Sequence, residues 1–382
     1  MKNKIFILFI LVLNILGFSG CWSYREVNRL AIVGGLAIDK DMNTDEYKLT
    51  IEVMKPLQGD TGGGKIQSDV YETTGKTIFD AARNFVVRVG RRAYWSHAKV
   101  VIINCNIAEE DIAPVLDWLY RDSELRRDIY ILVSRECNAG DLLRTDSTLD
   151  DTKTFHMFSI LQGQAATFKY PKTELWQVVE SISHKEKALL IPIVQVAESE
   201  RRPAEIRGSA IFKDDKVVGY LNEDDTRSVL WISGKLKKGI LAIKNIGNTN
   251  NDISFEIYSN KVKPKITFED DNVKIKVSIK ASVNIAELSG GLKFTDKDVR
   301  KKLEKDGEEA IKKQLTETIQ KLQQRYKSDV FNFSTDAQIQ NKKDWKKIKP
   351  KWEELFTSAE IEVDVDLHIR GSAVASKPIK GE

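Results

Sequence analysis

Two apolar stretches near the start of the chain predict the first strands of a β-sheet. Residues 30–38 are rich in apolar and β-branched side chains and contain Gly34-Gly35, which predicts a strand with a bulge or a close backbone approach. Residues 47–54 alternate between apolar and polar side chains. The side chains expected to point inward are Leu49, Ile51 and Val53, and those expected to point outward are Lys48, Thr50 and Glu52. A polar turn separates the two stretches, so we expect them to pair as a hairpin.

Helical and strand patterns then alternate. Apolar residues three and four apart predict an amphipathic helix over 77–89 and a second helix over 107–120, which Asn106 is expected to begin. Short apolar runs at 99–104 and 128–133 predict buried strands.

The middle of the chain is less regular. Residues 138–172 are weakly patterned, and a helix is predicted over 173–183. A strand is predicted over 188–196, at a sheet edge because Pro192 cannot donate a ladder hydrogen bond. A charged segment at 198–207 is expected to be a domain boundary. After it, residues 209–212 and 217–221 predict a hairpin, and Asn222 is expected to cap a helix that reaches about residue 236.

The C-terminal part alternates at period two, which predicts a sheet of several strands. These strands are expected at 239–244, 253–259, 263–268, 273–285 and 360–369. Thr295 is expected to cap the longest helix, whose apolar residues form one narrow stripe between Val299 and Tyr326. The helix could be a coiled-coil partner, but we favour a helix that covers the sheet, because the flanking strands supply a surface for it.

Together these patterns predict an α+β, multi-domain fold in which mixed or antiparallel sheets are covered by helices. The expected divisions are a signal peptide at 1–20, an α+β domain at 21–200, a middle domain at 201–250, and a C-terminal α+β domain with the long helix at 251–382.

The first 21 residues are typical of a bacterial lipoprotein signal. Lys2 and Lys4 precede an apolar run over 5–16, and small residues lead to Cys21, which is the predicted site of lipid attachment. The run is too short for a transmembrane helix, which needs about 20 apolar residues. An ordinary secretory signal and an uncleaved N-terminal anchor are the alternatives.

Composition and charge exclude few functions. The 382-residue chain has a net charge of +4, and removal of Lys2 and Lys4 with the signal leaves about +2, too balanced to argue for nucleic-acid binding. Cys105 and Cys137 each follow a predicted strand, and they could form a disulfide or remain as two buried thiols.

We find no catalytic motif, and we predict that the protein is not an enzyme and needs no cofactor or metal. His97, His156, His184 and His368 are scattered, without metal-ligand spacing. Residues 58–67 are rich in glycine but lack the Ser or Thr that follows the lysine of a phosphate-binding loop, so a flexible loop is predicted. The basic segment 343–356, with Trp345 and Trp352, could touch lipid headgroups, but a solvated face with two core tryptophans is favoured.

Three segments, taken in order behind the signal, resemble the Ger(x)C family of spore germination lipoproteins. They are CWSYREVNRLAIVGGLAIDKD from Cys21, LYRDSELRRDIYILVSREC from Leu119, and GSAIFKDDKVVGYLNEDDTR from Gly208. The resemblance implies the C subunit of a GerA-type nutrient germinant receptor. Such a protein would be α+β with three domains, anchored on the outer face of the spore inner membrane by an N-terminal diacylglyceryl group, beside integral membrane A and B subunits.

One charged segment has two interpretations. Arg121, Asp122, Glu124 and Arg126 lie between a predicted helix and a predicted strand. They could form a local salt-bridge network that turns the chain, in which exposed pairs contribute about 0 to 1 kcal/mol. The other interpretation is a surface that contacts the membrane subunits. At the level of the whole protein, a receptor subunit that acts by contact is our main hypothesis, and a lipid-anchored solute-binding protein is the alternative.

Overall fold

The computed structural model describes residues 29–57, 65–135, 138–146, 150, 152–184, 187–269, 272–290, 292 and 294–372. Cys21 and Cys137 lie outside these residues, whereas Cys105 is buried at the start of a helix. The predicted α+β class is confirmed, because the described residues form two β-sheets, each with helices packed against it.

The strands lie in two groups along the chain. The first group is β1 (Leu30–Lys40), β2 (Tyr47–Leu57), β3 (Lys65–Gly75), β4 (Arg92–Tyr94), β5 (Val100–Ile103), β6 (Tyr130–Ser134), β7 (Ala188–Val196), β8 (Ala204–Lys213) and β9 (Lys216–Leu221). The second group is β10 (Gly239–Ile243), β11 (Ile253–Glu269), β12 (Asn272–Leu288) and β13 (Glu360–Ser372).

The α-helices lie between and after these strands. They are α1 (Ile78–Val89), α2 (Cys105–Glu110), α3 (Ala113–Arg121), α4 (Lys153–Gln162), α5 (Leu175–Ile182), α6 (Glu223–Ile232), α7 (Lys297–Lys321), α8 (Phe333–Gln340), α9 (Lys342–Ile348) and α10 (Trp352–Ser358). Shorter helical turns include Trp95–His97 and Ala139–Arg144, and a π-helical turn, Leu322–Tyr326, continues α7.

The first sheet has the strand order β3-β2-β1-β5-β6-β7-β8-β9, and β4 also pairs with β1. Its centre is parallel from β1 through β7, whereas the outer pairs are antiparallel. Parallel neighbours need long crossover connections, and the helices α1 to α5 lie in those connections. One face of the sheet packs against α1, α2, α3 and α5, and the other face packs against the 139–144 turn and α4.

This second layer corrects the expectation that Thr50 and Glu52 point to solvent, because both are fully buried. The Glu52 carboxylate accepts hydrogen bonds from the backbone N–H groups of Lys153 and Thr154, each at 2.8 Å, where α4 begins. In the same way Asp39 accepts from the N–H groups of Ala139 at 2.8 Å and Gly140 at 2.9 Å. Two buried carboxylates therefore fasten the second layer to β1 and β2 by satisfying the free donors at helix starts.

The predicted bulge at Gly34-Gly35 is confirmed by a shift in the β1–β2 register between Val33 and Gly35. A Cβ atom on Gly35 would lie 2.5 Å from Thr154 Cγ2 and 2.7 Å from the carbonyl oxygen of Val100. The missing side chain is therefore what lets α4 approach the sheet this closely.

The prediction that residues 188–196 form an edge strand is wrong, because β7 lies between β6 and β8. Pro192 is tolerated there because it sits at a register shift against β8, and because β7 pairs with β6 only after it, at Ile193 and Val194.

Three other local predictions need correction. The helix expected over 107–120 is two helices, because Asp111 is extended (φ −163°) and Pro114 begins a new first turn in α3. Asn104 rather than Asn106 caps α2, accepting a hydrogen bond from Asn106 N–H. The loop expected over 58–67 is a strand from Lys65 onward, and residues 58–64 lie outside the described residues.

The second sheet has the order β10-β11-β12-β13. Two predicted strands, 253–259 and 263–268, are one strand, β11, with a register shift between Ile257 and Ser259. The favoured interpretation of the long helix is confirmed, since Leu303, Ile311, Leu315 and Ile319 are buried in one core with the sheet residues. Asp296, not Thr295, caps this helix, accepting hydrogen bonds from Asp298 N–H and Val299 N–H.

The basic segment near the C-terminus contributes two tryptophans to the core. Trp345 and Trp352 are buried, with ring centres 5.3 Å apart in an edge-to-face arrangement. Trp352 Nε1–H donates to the carboxylate of Asp329 at 3.0 Å, and the N–H groups of Phe333 and Ser334 donate to it at 3.2 Å and 2.7 Å. Burial nevertheless raises the pKa of Asp329 to about 6. The tryptophans thus support the core interpretation rather than lipid contact.

The predicted hairpin after the charged segment is confirmed as β8 and β9, and Asn222 caps α6 by accepting from Asp225 N–H at 2.8 Å. Both strands belong to the first sheet, through the pairing of β7 with β8. The division into domains at residues 200 and 250 stays a prediction.

Candidate partner-contact surface

A groove of about 580 Å³ lies between α1 and α3 on the surface of the first sheet's helical layer. Its walls are mainly apolar, and two acidic side chains and one basic side chain lie at its rim. The lining residues are Tyr47, Thr77, Ile78, Phe79, Pro114, Asp117, Trp118, Arg121 and Asp122. We refer to this groove with the exposed face of α1 as the α1–α3 surface.

Helix α1 is capped at both ends, which fixes the residues on its outer face. Thr77 Oγ1 accepts a hydrogen bond from Asp80 N–H at 3.1 Å, and Gly90 ends the helix in the left-handed conformation (φ 69°). Phe79 is 51% exposed and Val87 is 87% exposed, eight residues apart and hence on one face of the helix. The guanidinium of Arg83 lies 4.7 Å from the centre of the Phe79 ring. Phe79 and Val87 thus form an apolar row that faces solvent beside the groove.

Two of the predicted contact residues lie at this groove. Arg121 Nε donates to both carboxylate oxygens of Asp117, at 2.7 Å and 2.8 Å, and all of these groups are exposed. The Asp122 carboxylate accepts the backbone N–H of Glu124 at 2.8 Å, which begins the turn after α3. Arg121 and Asp122 therefore form a charged rim beside the apolar wall.

The other two predicted residues point elsewhere. Glu124 is turned inward, with its side chain only 14% exposed and one oxygen 2.9 Å from Arg92 Nη2. The Arg126 guanidinium is exposed and pairs with Asp128 at 2.7 Å, and this hydrogen bond holds the pKa of Asp128 below its usual value. These pairs make the local network that turns the chain. Contact of any of the four residues with a partner stays a prediction.

The apolar part of this surface was not found from the sequence. The amphipathic pattern over 77–89 does not account for Phe79, Val86 and Val87, which are all exposed on α1. The sequence could have identified Phe79 and Val87, because a phenylalanine and a valine on the polar side of an amphipathic helix depart from the expected pattern.

Two further features of the described residues bear on function, namely side chains that could hold a metal ion and helices that could cross a membrane. Among the described residues, no three His, Cys, Asp or Glu side chains lie close enough together to hold a metal ion. His156 lies near Asp150 and His368 near Glu304, at 3.7 Å and 3.3 Å, in different parts of the chain. No helix in the described ranges is both long enough and apolar enough to cross a bilayer.

Comparison with known proteins agrees with the sequence segments quoted above. Residues 23–196 match the family described as spore germination protein N-terminal domain, and residues 207–373 match the family described as spore germination B3/GerAC like, C-terminal. The chain is 26% identical to spore germination protein B3 of Bacillus subtilis (strain 168), covering 93% of this chain and 94% of B3. It is 23% identical to spore germination protein KC of the same organism, covering 100% of this chain and 98% of KC.

The fold has a counterpart among solved structures. The crystal structure of the GerBC protein matches with a TM-score of 0.58 and 24% identity, covering 88% of this chain and 97% of GerBC. The two matched domains and this fold define a spore germination protein. The chain belongs to the Ger(x)C family, as its sequence segments indicate.

Proposed function

We propose that this chain is the C subunit of a spore nutrient germinant receptor, lipid-anchored on the outer face of the spore inner membrane. It is required for the response to nutrients and acts by contact with the integral membrane A and B subunits rather than by catalysis. The observation that supports this proposal most strongly is the match of both halves of the chain to spore germination families, together with the GerBC fold.

Anchoring would depend on Cys21. One acyl chain gives only marginal membrane binding, whereas two chains, at about 0.8 kcal/mol per buried methylene, give a stable anchor. Mass spectrometry of the membrane-extracted protein should therefore find a diacylglyceryl group on Cys21. Cys21→Ala should release the protein or leave it unprocessed. An unmodified N-terminus at another residue would refute this part of the proposal.

Partner contact is assigned to the α1–α3 surface. An apolar centre with a charged rim is the usual anatomy of a protein–protein interface, and this surface combines Phe79 and Trp118 with Asp117, Arg121 and Asp122. Asp117 and Arg121 pair with each other at its rim, so the partner segment is expected to be apolar at its centre and polar at its margins.

The genetic test begins with deletion. Loss of the gene should abolish or slow germination triggered by one class of nutrient, while germination by agents that bypass receptors stays normal. If every nutrient response survives deletion and the purified protein binds a small solute, the alternative of a solute-binding protein replaces the proposal.

The surface itself is tested by a matched pair of substitutions. Phe79→Asp places a charge in the proposed interface, and Ile339→Asp places the same charge at a 66% exposed site on α8. Both side chains are exposed, so both variants should fold and keep their melting temperatures. Only Phe79→Asp should reduce nutrient germination and recovery of the A and B subunits with this chain. Equal behaviour of the two variants would show that the docking surface lies elsewhere.

The charged rim needs a separate variant. Glu124 is unsuitable, because its reversal would leave Arg92 facing a like charge inside the turn. Arg121 is 77% exposed, so Arg121→Glu reverses a rim charge without disturbing the core. A folded, membrane-bound Arg121→Glu variant with normal germination would leave the charged segment with only its structural role.

A further inference from the structure

A second cleft, of about 700 Å³, lies where the first sheet meets the end of the long helix. Cationic side chains reach it from both sides. Arg135 follows β6 and Arg207 lies on β8, whereas Lys321 ends α7 and Arg325 lies in the π-helical turn that continues it. Glu223 is the acidic residue that lines the cleft.

The acids near this cleft are already paired with two of its cations. Lys321 Nζ lies 2.5 Å from Asp225, and Arg207 Nε lies 3.1 Å from Glu205 and 3.3 Å from Glu223. Glu223 also pairs with Lys169 at 3.0 Å. The local charges of these groups are therefore largely balanced.

Arg135 and Arg325 are different, because neither pairs with a carboxylate of any described residue. Each guanidinium instead lies over a tyrosine ring, Arg135 at 5.0 Å from the centre of Tyr220 and Arg325 at 5.3 Å from the centre of Tyr326. Cation–π contacts hold a guanidinium in place without neutralising its charge. Two guanidinium groups without a carboxylate partner among the described residues therefore line the same cleft.

The two tyrosines form a fixed base for these arginines. Tyr326 Oη donates to the carbonyl oxygen of Tyr220 at 3.0 Å, and its ring lies directly on Gly219, where a Cβ atom would collide with it. Tyr220 Oη donates to Glu109. Burial, together with this bond, raises the pKa of Tyr220, so its ring stays neutral. Residues on the first sheet and at the end of α7 thus position one pair of guanidinium groups.

We propose that this cleft binds a small oxyanion, a molecule that carries a carboxylate or phosphate group, with Arg135 and Arg325 as its principal ligands. The planar fork of a guanidinium matches two oxygens of either group. The cleft volume falls in the range of small-molecule sites, which is about 300–1,000 Å³. This inference does not depend on the proposed receptor role.

The test uses the mature-length chain, residues 21–382 with Cys21→Ser. Inorganic phosphate and citrate serve as the two probes, at constant ionic strength set with sodium chloride, in isothermal titration and thermal melting. At least one probe should bind saturably and raise the melting temperature, because a ligand that binds only the folded state stabilises it. Comparison of the probes then distinguishes phosphate from carboxylate as the preferred group.

Substitutions separate a site from a general salt effect. Arg135→Gln and Arg325→Gln should each weaken binding about 10-fold or more, since a hydrogen bond to a charged group is lost. Arg325→Lys, which keeps the charge but loses the fork, should be intermediate. Arg88→Gln removes an exposed arginine on α1 and should bind as the unaltered chain does.

Two results would overturn the proposal. Phosphate and citrate stabilise many proteins by exclusion from their surfaces. If the probes raise the melting temperature of the Arg135→Gln/Arg325→Gln variant as much as that of the unaltered chain, there is no site. Absence of saturable binding of both probes to the folded, unaltered chain would equally refute it.

Discussion

The buried carboxyl group of Asp329 should make the stability of the protein depend on pH in a defined direction. Its pKa is raised from the ordinary 3.8 to about 6, because desolvation outweighs the hydrogen bonds that Asp329 accepts from Ser334, Trp352 and Phe333. The folded chain therefore binds this proton more tightly than the unfolded chain. The stabilisation is fully present below about pH 4 and is lost as the pH rises through about 6. A difference of about two pKa units corresponds to about 3 kcal/mol.

Asp329→Asn isolates this contribution, because an amide does not titrate. The variant has its own constant cost, since an NH₂ group must replace one acceptor facing the N–H groups of Phe333 and Ser334. The measured quantity is the free energy of unfolding in urea, determined for both chains between pH 4.5 and 7.5. The stability of the unaltered chain relative to the variant should fall across this interval by about 2 kcal/mol, the part of the total that lies between these two pH values.

A second variant tests the cause of the shift. Trp352→Phe removes an indole donor that favours the carboxylate, so the loss of stability should move to higher pH. Trp345→Phe is the matched control, because it changes the same aromatic pair without removing a donor to Asp329. A stability difference between the unaltered chain and Asp329→Asn that is constant with pH would refute the reasoning.

Three further substitutions test the packing. Leu315→Asp should cost several kcal/mol and lower the melting temperature sharply, because it places a charge between α7 and the second sheet. Lys313→Asp, on the exposed side of α7, should leave the melting temperature nearly unchanged. Equal melting temperatures of the two variants would contradict the assigned helix face. Gly35→Ala should cost about 1–3 kcal/mol in urea unfolding, because the new Cβ meets the Val100 backbone, and Gly163→Ala, with open space around it, is the control that should be near neutral. Thr77→Ala should cost about 1 kcal/mol by leaving Asp80 N–H without its cap, and an unchanged urea midpoint would argue against that cap.

Period-two alternation predicted much of the fold, because a sheet with one buried face imposes this alternation on its sequence. Strands β2, β12 and β13 were found in this way, whereas β1 was found from its apolar, β-branched run and the β8–β9 hairpin from its polar turn. Strand β3 was not, because its sequence KIQSDVYETTG is largely polar, as an edge strand can be. Helix α4 was missed because its apolar residues do not lie on one face.

The other incorrect or missing predictions depend on contacts between residues far apart in the sequence. Thr50 and Glu52 look like solvent-facing residues of a strand, and they are buried because residues 139–144 and 153–162 pack against that face of the sheet. In the same way the α1–α3 surface joins residues 47, 79 and 118, which have no relation in sequence. Local pattern identified the charged segment but could not tell that Glu124 turns inward to Arg92, because Arg92 comes from a distant strand.

The hairpin of β8 and β9 makes the folding of each half of the chain depend on the other half. The C-terminal family match begins at residue 207, within β8, yet β8 and β9 complete the first sheet beside β7. If the protein were cut between the two matched segments, the N-terminal part would lose β8, the partner of the buried strand β7. The C-terminal part would keep the β8–β9 hairpin without the sheet to which it pairs. Exposed strand edges of this kind promote aggregation. We therefore expect a cut between residues 196 and 207 to destabilise both halves.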